Sequence, residues 1–89
     1  MRFKWDGKKN RQIKQQRNLD FKNISSLFDQ SYHLSQKNDV PEQWRAIGWV
    51  NERLVTLIYE ERFDEYGLFY WFITAWPSTK SEERLYHEN

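Results

Sequence analysis

Residues 54–59 read LVTLIY, and they limit the possible folds more than any other stretch of the chain. The run is built of strand-forming residues and is apolar on both faces, which suits a central position in a sheet. Its neighbours are legible on either side. WRAIGWV, at 44–50, precedes it across Asn51 and Glu52, and two strand-forming runs joined this way read as a hairpin. Downstream, Gly67 and its acidic neighbours make the next turn into a strand at 68–76. Pro77 ends that strand, because it has no amide to donate. By simple alternation Trp71 shares a face with Phe69, Ile73 and Ala75, and Trp76 shares the other with Tyr70, Phe72 and Thr74.

The first half supplies the helices. RFKWD alternates Phe3 and Trp5 with charges, as a half-buried strand does. Asp6 can cap a polar helix, GKKNRQIKQQR, whose one aliphatic residue is Ile13. Asn18 tolerates the left-handed conformation that ends such a helix. Asp20 caps a second helix in which Phe21, Ile24, Leu27 and Phe28 form one apolar stripe. The polar segment after it reads as a brief strand at 32–34 and then a loop. Thr79 and Glu82 have capping-box spacing for a last helix from Thr79 or Lys80 to about His87. The expected fold is α+β: one domain over 1–89, in the order β-α-α-β-β-β-α. It has a small antiparallel sheet of about four strands with helices packed on one face.

Composition removes several classes of function. With no cysteine, neither a disulfide framework nor a thiolate metal site can form. His33 and His87 have no zinc spacing; His87 reads as a solvated residue of the last helical turn, His33 lies in a polar strand or loop, and neither is expected as a site. No apolar run nears the roughly 20 residues that span a bilayer, so the expected setting is the cytoplasm, away from membranes. Net charge is only +1, but it is unevenly spread. Residues 1–17 carry seven cations against Asp6, a balance of +6, which leaves −5 for the rest. A basic face of this kind meets phosphate or an acidic partner.

The chain resembles the BrnT toxins of bacterial type II toxin–antitoxin systems. The likeness rests on the order and spacing of short blocks along nearly the whole chain. These are Phe3-Lys4-Trp5-Asp6, Lys9 in a basic helix, Phe21 with Phe28-Asp29, and then Glu42, Arg45 and Gly48. The apolar strand ending in Arg62 follows, and then Ile73, Ala75, Thr79, Glu82 and Tyr86. The resemblance implies a fold like that of the RelE-type ribonucleases and messenger-RNA cleavage without metal or cofactor. It also implies neutralisation by a ribbon-helix-helix antitoxin of the BrnA kind. Two departures stand out: Trp71 and Trp76 occupy positions where the family has arginine, and Arg17 stands where it often has histidine.

Cleaving RNA through its own 2′-hydroxyl needs proton transfer and stabilisation of a phosphorane. The expected catalytic cations are Lys9, Arg17, Arg45 and Lys80, with Lys8, Arg11, Lys14 and Arg84 gripping the RNA backbone. Glu82 is better explained as a capping residue than as a base. Trp71 and Trp76 are the expected partner interface, through which the chain would also form a homodimer. The alternative to an active ribonuclease is a catalytically inactive binding module of the same fold, acting through protein contacts. A third option is a nucleic-acid binder that uses only the basic helix.

Overall fold

A computed structural model describes residues 1–88. The elements run β1 (Arg2–Trp5), α1 (Gly7–Arg17), α2 (Phe21–Ile24), a 3₁₀ turn (Ser25–Asp29), β2 (His33–Asp39), β3 (Glu42–Val50), β4 (Arg53–Asp64), β5 (Gly67–Pro77) and α3 (Lys80–His87). The fold is α+β, with the strands in one mixed sheet ordered β1-β5-β4-β3-β2. LVTLIY lies in β4, the middle strand, and all six of its residues are buried.

The sheet departs from expectation in three ways. It has five strands rather than about four, in the order β-α-α-β-β-β-β-α, because the polar stretch from His33 to Asp39 pairs with β3. A strand at the sheet edge, largely open to water, needs no apolar alternation, so beyond the brief strand expected at 32–34 its sequence looks like a loop. The sheet is mixed rather than antiparallel: β1 runs parallel to β5, with Phe3 opposite Tyr70 and Trp5 opposite Phe72. The helices also divide between the faces. Residues of α1, α2 and the 3₁₀ turn cover Val55, Leu57 and Tyr59, whereas α3 meets Thr56, which points the other way. A strand apolar on both faces needs cover on both.

The fourth correction concerns the tryptophans. Ile58 pairs with Thr74 but Tyr59 pairs with Phe72, so β5 carries one extra residue, a bulge. Beyond a bulge the alternation reverses. Ala75 therefore joins Phe72 on the α1 face, and Trp76 joins Trp71 on the opposite one. The expected placement of the two indoles on opposite faces is overturned.

Local chemistry holds the helices in place. Asp6 accepts from the Lys8 amide at 3.0 Å, and Asn18 ends α1 at φ 54°. Asn10 donates to the Asp20 carboxylate at 3.0 Å and accepts from the Phe21 amide at 2.9 Å, which fastens α1 to α2. Ile13, Phe21, Ile24 and Leu27 then pack fully buried on the sheet. Gly48 allows that approach, because a Cβ there would lie 2.9 Å from Leu27 Cγ. At the other edge Asp64 accepts both arms of Arg2, at 2.9 and 2.8 Å, and Lys4 at 2.8 Å, tying β1 to the β4–β5 turn.

Candidate functional site

The face bearing both tryptophans has three zones. In the first, α3 lies over Thr56 and Trp76. Glu82, 8% exposed, accepts from Trp76 Nε1 at 2.9 Å, the Thr79 amide at 2.8 Å and Thr56 Oγ1 at 3.0 Å. Burial pushes its carboxyl up, but these donors together pull it below its ordinary value. Glu82 is thus both capping-box residue and helix anchor.

The far zone is a lattice of cations on aromatic rings. Arg62 lies 4.8 Å from the centre of the Trp71 ring and pairs with Glu60 at 2.7 Å. Gln43 donates to the other Glu60 oxygen at 2.8 Å, and with Arg62 it holds that carboxyl below its usual range. Lys4 lies 4.5 Å from the Phe69 ring centre. Every cation in this zone has a carboxylate partner, Asp64 for Arg2 and Lys4, and Glu60 for Arg62.

Between them runs one row across the sheet: Ser35, Arg45, Ile58 and Thr74. Arg45 Nε donates to Ser35 Oγ at 3.1 Å. At the other end Arg17 reaches from the last turn of α1 to Thr74 Oγ1 at 3.1 Å and the Ala75 carbonyl at 3.2 Å. That carbonyl lies on β5 beyond the reach of β1, whose pairing stops at Phe72. Arg45 and Thr74 are two strands apart, about 10 Å between backbones. The row thus ends in two guanidiniums bonded, among the described residues, only to neutral oxygens.

Of the four expected catalytic cations, the structure brings Arg17 and Arg45 to this row. Lys9 lies half-buried two turns before Arg17, and Lys80 stands exposed at the start of α3. Lys8, Arg11 and Lys14 are exposed on α1, with Lys14 lying 3.7 Å from Asp20. Arg84 is exposed on α3 and donates to Ser81 at 3.3 Å. Trp71 and Trp76 are half-buried, one under Arg62 and the other tied to Glu82.

One grouping escaped the sequence. His33 and His87 line a single cleft of about 170 Å³ with Ser31, Tyr32 and Tyr86. Tyr86 forms its wall, donating to the Ser31 carbonyl at 3.4 Å and standing edge-on to the His87 ring at 5.3 Å. The one available signal was the repeated Tyr-His pair at 32–33 and 86–87. No group of three or more metal-ligating side chains occurs among the described residues, and no helix there is long and apolar enough to cross a membrane. No protein-family model matches the chain, and no curated protein matches it.

Proposed function

We propose that this chain is a toxin of the BrnT type, a metal-independent endoribonuclease that cleaves messenger RNA and is neutralised by a ribbon-helix-helix antitoxin. The observation that carries this reading is the pair Arg17 and Arg45 at the two ends of one sheet row. Among the described residues their guanidiniums bond no carboxylate, unlike Arg2, Lys4 and Arg62 on the same face. A planar, permanently charged donor fixed in place, as Arg45 is, suits a phosphorane, whose additional negative charge develops as O2′ attacks. Arg17, about 10 Å or more away, suits another phosphate of the strand. The exposed Lys8, Arg11 and Lys14 supply a track for the flanking backbone.

The test is RNA cleavage by the purified chain in EDTA, alongside growth on expression of the chain alone. Arg45→Ala should lower cleavage by about 10²–10³-fold with the melting temperature kept, and relieve growth arrest. Intact RNA and undisturbed growth with abundant soluble protein would sink the reading.

A second reading, a catalytically inactive binding module, is favoured by the two indoles. Each stands where the resemblance places an arginine, and each is already engaged within the chain. Such a protein would co-purify with a partner or with itself and leave RNA whole.

A further inference from the structure

Arg45 and Arg17 can each meet a phosphate, at separate points of the row, but neither moves a proton, because guanidinium stays protonated. Imidazole is the side chain suited to that task near neutral pH. The chain has two histidines, 54 positions apart, and the fold brings both to one cleft. His33 opens β2 two residues before Ser35, so both side chains lie on the Arg45 face. That spacing sets the imidazole one residue pair, about 7 Å, from the Arg45 anchor. His87 closes α3, which packs on the same face through Glu82. At about 170 Å³ the cleft is smaller than the roughly 300–1,000 Å³ pockets that enclose whole small molecules. It fits one unit of a longer chain, with Tyr86 as an aromatic wall on which a base can stack.

We propose that His33 and His87 are the proton-transfer pair of the site, acting on a ribonucleotide linkage seated between the cleft and Arg45. The inference rests on the ribonuclease reading. One neutral imidazole takes the 2′-hydroxyl proton as O2′ bonds to phosphorus. The P–O5′ bond breaks, and the other imidazole, protonated, delivers its proton to O5′. The products are a 2′,3′-cyclic phosphate and a 5′-hydroxyl, with charge and protons balanced and no metal consumed. Among the described residues, ionisable groups near the pair include Tyr32 and Tyr86 in the cleft, Arg45 on the next row, Glu83 and Arg84 one helical turn before His87, and Glu88 beside it.

The experiment compares wild type, His33→Ala and His87→Ala on an RNA oligonucleotide in EDTA across pH 4–9, with end-group analysis of the products. In parallel, imidazole NMR resonances are followed as a non-cleavable 2′-deoxy analogue is added. Wild type should show a bell-shaped profile and cyclic-phosphate ends, and each variant should lose about 100-fold or more in rate along with one limb of the bell. Both imidazole resonances should move with the analogue, a response a purely structural histidine would not give. His87 is exposed, so its variant should fold, and unchanged melting verifies this. If wild type cleaves while His87→Ala keeps both limbs and its rate within about threefold, the pair is wrong and the ribonuclease reading survives. If wild type does not cleave, both fall.

Discussion

Glu82 is the point at which the last helix is fastened to the sheet, and replacing it tests that attachment directly. Alanine removes the carboxylate together with its desolvation cost, so the loss is governed by the donors left behind. Thr56 keeps a partner in Ser78, at 2.8 Å. Trp76 Nε1 and the Thr79 amide lose their acceptor, at about 1–3 kcal/mol for each donor that water does not reach. Thr79 is exposed and rehydrates at lower cost, which puts Glu82→Ala near 3 kcal/mol. For a domain of this size that is about 12–24 °C in Tm. Glu82→Gln keeps an acceptor oxygen of the same shape and should lose only about 1 kcal/mol. The pH dependence has a definite sign. A carboxyl held below its ordinary value stabilises the fold fully above the unfolded range, and that contribution fades as pH falls through the folded value. The gap between wild type and Glu82→Gln should therefore narrow below about pH 4. Melts followed by circular dichroism at pH 7 and pH 3 provide the measurement. An alanine variant within about 4 °C of wild type, a shift worth under 1 kcal/mol, would refute the anchor.

Gly48→Ala should destabilise by about 1–3 kcal/mol, since the new methyl would meet Leu27 Cγ at 2.9 Å and the 3₁₀ turn must retreat; urea melts would show it as a lower midpoint. Asp64→Asn should lower Tm at pH 7 and flatten its acid dependence. The Arg2 fork, then Lys4, hold that carboxyl well below the usual range, so its contribution is present above the unfolded value and disappears on acidification. Equal Tm losses between pH 7 and pH 3 in wild type and variant would count against it.

What the sequence determined alone is local. Asp6, Asn18, Asp20 and the Thr79–Glu82 box mark helix ends because caps bond amides or turn the chain within a few positions. LVTLIY declared itself central because both of its faces are apolar. The order of helices and most strands followed from signals of this kind. Of the polar strand β2 only the start was legible, as a brief strand at 32–34, because pairing at an edge leaves no apolar pattern.

Tertiary structure decided everything that depends on register. One extra residue in β5 moved Ala75 and Trp76 to the faces opposite to those the alternation assigns them, since side chains repeat every two residues and a slip of one reverses them all. The same register set Arg45 and Thr74 in one row, where Arg17 could reach Thr74 from α1. The meeting of His33 with His87 needed the hairpins, the turn to α3 and its seating through Glu82. No short-range signal encodes a cleft shared across 54 residues; it arises only when the sheet's pairing and the cover on its second face are both in place.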